Sequence, residues 1–235
     1  MSEENLIYLL IIALIGSIAV SVSYFITRRE TNARNVSNRL QWLGKQTLHC
    51  LEAISMLKAA GCMPELLDRL NRHALRYIEE ISTLAPDSDL MTQVNAQKET
   101  ADRMTQGQRG FTSDRDLKRF QIYVNYTENL LKDMVEKNEL PYALGSSYAK
   151  ELYWLNIRVV ANAHVSQANQ LLTQNDKLTA LSHYKHAKAV LVRAMVPPKQ
   201  KQPLIDEIQP RILELEPKKI YRGGALEDSL DSYLG

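Results

Sequence analysis

Hydrophobic positions follow two patterns along the chain, an uncharged run near the start and then a series of helical stripes. Residues 6–27 hold no charged side chain, and Arg28 and Arg29 follow them at once. As an α-helix this run would span about 33 Å at roughly 1.5 Å per residue, which is enough to cross the hydrocarbon core of a bilayer. The pattern therefore predicts a transmembrane helix over 6–27, with a short flank at 1–5 before it.

The charges around this run predict its orientation. Arg28, Arg29 and Arg34 follow it, and no Lys or Arg precedes it, so the positive-inside rule places the C-terminal domain in the cytoplasm. The acidic Glu3 and Glu4 and the length of the run favour an uncleaved anchor over a signal peptide. We therefore expect a single-pass protein of the inner (cytoplasmic) membrane that contacts lipid through its anchor.

Small residues recur within the same run. Ala13, Ser17 and Ser21 are spaced four apart, which is the small-xxx-small spacing that lets two membrane helices pack closely. Small residues are common in membrane helices, so the same spacing also occurs without a packing role. This face is a candidate for transmembrane packing and for a homodimer.

After the anchor, the hydrophobic spacing predicts a first helical hairpin and a third helix over 28–104. A heptad stripe covers 36–57, Gly61 ends it, and Pro64 begins a second striped segment that closes before Pro86. A short break between two striped helices is typical of an αα-hairpin. Pairing of the first stripe with a second copy of the chain is the alternative, and it would make a structural homo-oligomer in a membrane assembly. The heptad positions are Val36, Leu40, Leu43, Thr47, Cys50, Ile54 and Leu57.

The pattern after the hairpin predicts a loop, a second helical part over 113–216 and a tail. Residues 105–112 contain two glycines and no periodicity, which predicts the loop. Ser113 with Asp116 resembles a capping box at the start of the next helix. The remaining predicted elements are a helix ending near Asn138, a turn at 141–147, helices at about 147–173 and 177–195, a seventh helix broken or restarted at Pro210, and a flexible tail over 217–235.

The fifth and sixth predicted helices resemble one tetratricopeptide repeat. With the family's unit of about 34 residues set at 161–194, small residues fall at its eighth, twentieth and twenty-seventh positions and an aromatic residue at its twenty-fourth. Asn175 and Asp176 fall in the turn, where the family carries Gly-Asp-like residues. A partial second match runs from Ala74 to Pro86. The repeat-packing positions of the first match are Ala168, Ala180, Tyr184 and Ala187.

The resemblance implies a concave helical surface that binds a protein or a peptide, without catalysis. Because one hairpin cannot bury its own apolar face, the other helices are expected to stack on it. Together with the anchor, the expected architecture is all-α, with a single N-terminal transmembrane helix and an irregular tetratricopeptide-like domain of α-α hairpins.

Composition and charge argue against several other classes of protein. The formal net charge is +2, which is too close to balance for a nucleic-acid binder. Cys50 and Cys62 form no CxxC pair, and the sequence holds no P-loop, dinucleotide, zinc-protease or serine-hydrolase motif. His183 and His186 have a spacing that can present two imidazoles to one metal, although surface histidines are the commoner explanation. We therefore expect no metal, no cofactor and no enzymatic activity.

Two sets of residues are candidates for binding a partner. Tyr148, Tyr153 and Trp154 form an aromatic cluster that is either a binding platform or a helix-packing face. The end of the chain mixes acidic and apolar residues, a composition that suits a docking peptide for another protein or for the domain's own groove. Its apolar positions are Leu226, Leu230, Tyr233 and Leu234. The sequence thus predicts a membrane-anchored cytoplasmic scaffold or adaptor that binds a protein or a peptide.

Overall fold

A computed structural model describes residues 3–103, 111 and 113–216, with the side chains of the first helix described from Ser23 onward apart from Phe25. Contacts divide the chain into two compact units, 1–108 and 109–235. Every regular element of the described part is an α-helix, and the all-α prediction is confirmed there. The seven helices of this part are α1 (Glu3–Ala59), α2 (Pro64–Leu84), α3 (Asp89–Arg103), α4 (Asp114–Glu136), α5 (Tyr142–Thr173), α6 (Lys177–Arg193) and α7 (Pro198–Leu215).

The prediction of a membrane-spanning helix is contradicted. In the part of the chain that the structure describes, none of the helices is long and apolar enough to pass through a bilayer. This finding corrects the transmembrane helix over 6–27, the single-pass topology and the inner-membrane location with a cytoplasmic C-terminal domain. Helix α1 runs without a break into Arg28, Arg29 and Glu30, which are charged and exposed.

The first unit is a hairpin of α1 and α2, with α3 packed mainly against α1. From Leu43 onward the predicted heptad positions are buried, whereas Val36 is exposed. The polar members of the stripe have partners, since the Thr47 hydroxyl donates to the Leu43 carbonyl and the Cys50 thiol donates to the Leu70 carbonyl. The stripe is therefore buried within its own chain, and the αα-hairpin prediction is confirmed.

The turn between α1 and α2 depends on Gly61. Its φ of +79° lies in the left-handed region that residues with a side chain rarely adopt. The N–H groups of Gly61 and Cys62 donate to the carbonyls of Lys58 and Leu57, which closes the end of α1. Pro64 is then the first residue of α2, where its missing N–H costs no helical hydrogen bond.

A two-point ion pair joins α1 to α2 at the surface. Arg39 Nε and Nη2 donate to the two carboxylate oxygens of Glu80 at 2.6 and 2.8 Å. The guanidinium also lies over the Trp42 ring, 4.6 Å from its centroid. The hydrogen bonds lower the pKa of Glu80 and raise the pKa of Arg39. Because both partners are largely exposed, the pair sets the register of the hairpin more than its stability.

The second unit stacks α4, α5, α6 and α7 in chain order, with each helix packed on the next. Ser113 caps α4 because its hydroxyl oxygen accepts the N–H of Asp116, and this predicted helix start is confirmed. The apolar face of α4 is buried at Phe120, Val124 and Leu131. Sequential stacking is consistent with a helical repeat-like fold, in which each helix pair covers the apolar face of its neighbour.

The turn predicted at 141–147 is wrong, because α5 begins at Tyr142. Asn138 adopts a left-handed φ of +59° and ends the preceding helix, and Pro141 directly precedes α5. Gly145, Ser146 and Ser147 instead lie in the first two turns of the helix. There Gly145 is buried, and it allows α5 to approach α4 closely.

The break predicted at Pro210 is also wrong, because α7 runs from Pro198 through Pro203 and Pro210 without interruption. A proline inside a helix removes the hydrogen bond to the carbonyl four residues earlier. Those carbonyls belong to Lys199 and Asp206, which are exposed, so water can bond to them. The helix continues because its prolines lie on the solvent side while its other face is buried.

Candidate functional site

The positions that resemble a tetratricopeptide repeat lie together in the core between α5, α6 and α7. Ala168, Ala180, Tyr184 and Ala187 all belong to one cluster of buried residues. The alanines allow the helices to approach closely, and the tyrosine ring fills the space beside them. The Tyr184 hydroxyl donates to the carboxamide oxygen of Asn169, which gives its polar end a partner.

The turn between α5 and α6 is formed by the two residues that the resemblance places there. Asn175 has a left-handed φ of +62°, and the Asp176 carboxylate accepts the N–H of Thr179 at 3.1 Å. These hydrogen bonds to Thr179 lower the pKa of Asp176. Asp176 is thus the N-cap of α6, and it fixes where the second helix of the hairpin starts.

A groove of about 480 Å³ lies between α4 and α5. Gly145 marks the closest approach of the two helices, since a Cβ there would come within 2.6 Å of Val135 Cγ2. Tyr142 lines the groove and is 79% exposed. A cavity of this size can take one or more apolar side chains from another molecule. The apolar lining includes Leu131, Val135, Tyr142, Gly145 and Ala149, and the charged lining is Glu128, Lys132 and Glu136.

Two further grooves border α7, and their charges differ. The α5–α7 groove measures about 240 Å³, and the α6–α7 groove about 360 Å³. The first holds one acid and one base, whereas the second holds three bases and one acid. The charged lining residues are Glu207 and Arg211 in the first, and Lys185, Lys188, Arg193 and Glu216 in the second.

Three histidines meet between α5 and α6. The Nδ1 atoms of His164 and His183 lie 3.2 Å apart, and the His186 ring stacks 5.7 Å from the His164 ring. Burial, followed by the positive charge that His183 and His186 carry when protonated, lowers the pKa of His164. Among residues 3–103, 111 and 113–216, no group of three or more His, Cys, Asp or Glu side chains is arranged to hold a metal ion. The geometry favours a neutral His164 that shares one N–H with His183.

The aromatic residues predicted to bind a partner do not share one exposed face. Tyr148 is buried, and Trp154 is partly buried against the core of α5, α6 and α7. Tyr153 is 36% exposed, and its hydroxyl accepts the N–H of Met195. Of the three rings, Tyr153 therefore has the largest exposed fraction.

The other predicted partner residues lie outside the described residues. The tail at 217–235 is one such segment, and the side chains of the predicted membrane-packing face are another. A homodimer and a docking role for the tail stay predictions, while the expected lipid contact depended on the contradicted anchor. The residues concerned are Leu226, Leu230, Tyr233 and Leu234 in the tail, and Ala13, Ser17 and Ser21 in α1.

Sequence reasoning missed all three grooves, because a groove forms where two helices leave space rather than where a motif stands. One signal was available at Gly145. A glycine inside a helix lowers its stability by about 1 kcal/mol relative to alanine, so a helical glycine often marks a close contact. Its neighbours Ser146 and Ser147 favoured a turn instead, and the close contact was not predicted.

No protein-family model matches the chain, and it matches neither a curated protein nor a solved structure. The function therefore has to follow from the geometry of the described residues.

Proposed function

We propose that this chain is a non-enzymatic adaptor whose α4–α5 groove binds an apolar segment of a partner protein. The open groove of about 480 Å³ is the observation that carries the proposal. Its lining includes the apolar side chains of Leu131, Val135 and Ala149, and covering apolar surface stabilises a complex by roughly 25 cal/mol per Å². Tyr142 adds an exposed ring with a hydroxyl group, a combination that is common in protein interfaces.

The charges of the groove indicate the chemistry of the partner. Two carboxylates, Glu128 and Glu136, line it with a single base, Lys132. A partner segment with apolar anchors and flanking Lys or Arg residues would complement this balance, whereas an acidic segment would be repelled.

The resemblance of α5 and α6 to a tetratricopeptide repeat supports the same function. In that family, stacked helix pairs present surfaces that bind peptides. The stacking of α4 to α7 and the buried repeat positions fit a tetratricopeptide-like unit. We therefore also propose that α4 to α7 form a tetratricopeptide-like unit.

Selection of peptides on the full chain tests the groove. A random twelve-residue peptide library displayed on phage should enrich sequences with apolar anchors and basic flanks. Ala149→Lys, which places a positive charge in the groove, should weaken binding of the enriched peptides at least about tenfold, because it repels their basic flanks and covering it removes water from a charge, which together cost more than about 1.4 kcal/mol. Fluorescence anisotropy with labelled peptides measures the loss.

Ala143→Lys is the matched control, since it makes the same change at an exposed position of α5 outside the groove. It should bind the enriched peptides as the unaltered chain does. Failure to enrich any peptide, an acidic consensus, or equal binding by the Ala149→Lys variant would each overturn the proposal.

The homo-oligomer is the alternative function. In the described part of the stripe over 36–57, only Val36 and Leu40 are not fully buried, which leaves little apolar surface for a second copy. Size-exclusion chromatography with light scattering on the full chain separates the two functions. A monomer agrees with the adaptor, whereas a dimer that is dissociated by Val36→Glu with Leu40→Glu would favour the oligomer.

A further inference from the structure

The α6–α7 groove is the cationic one among the three grooves described above. It is lined by Lys185, Lys188 and Arg193 beside the apolar Ala189 and Val192. Val192 is 51% exposed, so apolar surface lies open between the bases. The charges of the other two grooves are nearly balanced or slightly negative. An occupant of the α6–α7 groove should therefore be both acidic and apolar.

The bases of this groove have few acidic partners among the described residues. Lys185 Nζ lies 2.7 Å from Glu216 Oε1, and Lys188 Nζ donates to the neutral carboxamide of Gln209. Arg193 is exposed in the last turn of α6. Three bases thus face one carboxylate, and an incoming acidic segment would bring the missing negative charge.

The tail of the same chain has this chemistry. Its apolar residues Leu226, Leu230, Tyr233 and Leu234 stand at i, i+4, i+7 and i+8, which is the spacing of one helical face. Its acidic residues fall between them at Glu227, Asp228 and Asp231. The linker bases Lys218, Lys219 and Arg222 lie before this segment.

We propose that residues 226–234 dock in the α6–α7 groove of their own chain. The apolar face would cover Val192 and Ala189. Glu227 and Asp231, which are nearer to that face than Asp228, would pair with the lysines and Arg193, while Asp228 would face water on the opposite side of the helix. The segment would then cap the open end of the helix stack, as terminal elements with a polar outer face do in repeat proteins. This docking uses a different groove from the proposed partner site, so either proposal can fail without the other.

The chain leaves the described part beside the groove, since Glu216 lines it. The nine residues 217–225 can extend about 30 Å at roughly 3.3–3.6 Å per residue, and Gly223 and Gly224 permit a reversal of direction. The stretch from Lys185 to Arg193 and a helix over 226–234 each span about 12 Å. The linker is therefore long enough to bring residues 226–234 to the α6–α7 groove, and a helix over these residues is as long as the stretch of α6 that lines the groove.

Tethering makes a weak contact sufficient for docking. A short flexible linker holds its segment at an effective concentration in the millimolar range. A segment whose free peptide binds with a Kd of about 1 mM would therefore occupy the groove for a large share of the time. The acidic residues add a contribution that falls with ionic strength.

Disulfide trapping in the full chain tests the docking. The Val192→Cys with Leu230→Cys variant should form an intrachain disulfide under mild oxidation at least about tenfold faster than Tyr142→Cys with Leu230→Cys. The second pair is the control, because Tyr142 is 79% exposed, more than Val192 at 51%, but lies in the α4–α5 groove. Non-reducing electrophoresis and peptide mapping by mass spectrometry follow the reaction.

Charge exchange provides the second arm. Lys185→Glu with Lys188→Glu should slow trapping several-fold, Glu227→Lys with Asp231→Lys should do the same, and combining all four changes should restore the rate. Equal rates for the groove pair and the control pair would overturn the proposal. A disulfide-linked dimer would also overturn it, since the groove would then take the tail of a second copy.

Discussion

The imidazoles of His164 and His183 face each other across α5 and α6 with their Nδ1 atoms 3.2 Å apart. At this distance one ring donates an N–H and the other accepts it, which requires at least one of the two Nδ1 atoms to be unprotonated. Protonation of both rings would place two donors and two like charges in contact.

Acid should therefore destabilise the second unit. The pKa of His164 is lowered by burial and by His183 and His186, while Asp114 acts weakly in the opposite direction. The unfolded chain binds the proton first, so the stabilising contribution is complete above the ordinary pKa of about 6.5 and is lost as the pH falls toward the lower folded value. The free energy of unfolding, measured by urea titration, should decrease between pH 7.5 and pH 5.5.

His164→Gln should reduce this acid dependence, because glutamine does not take up a proton in that range. His49→Gln is the control, since it removes an exposed histidine from the first unit and leaves the cluster intact. An unchanged pH dependence in the His164→Gln variant would contradict the explanation that the histidine cluster causes the loss of stability in acid.

Gly145→Ala should destabilise the chain by about 1 kcal/mol. The new Cβ would lie 2.6 Å from Val135 Cγ2, a short branched side chain that cannot rotate out of the way. Overpacking of this kind costs about 1–3 kcal/mol, and the gain in helix propensity offsets up to about 1 kcal/mol. Urea denaturation measures the difference.

Two further variants test whether the clash with Val135 causes the loss of stability. In a Val135→Ala background the same change at Gly145 should be neutral or stabilising, because the clash is gone. Gly44→Ala should cost less than Gly145→Ala, since its Cβ meets the methyl ends of Leu90, which can rotate away. Equal losses at the two glycines would contradict this explanation.

Tyr184→Phe should cost roughly 1 kcal/mol, the usual net value of one hydrogen bond. The lost bond is the one to Asn169, whose exposed side chain can turn to water. Tyr184→Ala should cost about 3–5 kcal/mol, because it leaves a cavity in the core of α5, α6 and α7. Similar losses for the two variants would show that the ring is not packed as described.

Cys50 should resist thiol reagents in the folded chain. The side chain is fully buried, and burial raises the pKa of its thiol to about 12, so the reactive thiolate is scarce at pH 8. Titration with a chromogenic disulfide should be slow without denaturant, and it should reach both cysteines of the chain in guanidinium chloride. Rapid reaction of Cys50 in the native chain would contradict its burial.

Elements with a strong local signal were predictable from the sequence. The α1–α2 hairpin follows from its heptad spacing, from Gly61 in a left-handed conformation and from Pro64 at the first position of α2. The start of α4 follows from the hydroxyl of Ser113. In each of these cases the residue acts on the backbone of its own sequence neighbours, so the local sequence is enough to predict the helix boundary.

Features that depend on distant partners were not predictable. The sequence alone predicts a helix break at Pro210. The helix continues because Pro210 lies on the solvent side of α7, and which side of α7 faces solvent depends on how the helix packs. Gly145 suggests a turn until α4 is placed against it. The grooves and the histidine cluster likewise exist only between helices. Their lining residues have helical spacing, as at Lys185, Lys188 and Val192, but that spacing does not show where two helices leave a space.

The unbroken length of α1 has a mechanical consequence. From Glu3 to Ala59 the helix rises roughly 85 Å at about 1.5 Å per residue, with no proline along it. Inserting one residue ahead of Leu43 would turn everything upstream by about 100° around the axis, while inserting seven would return it to within about 20°. The number of residues between the N-terminal end of α1 and the hairpin therefore fixes which side of the helix each N-terminal residue faces.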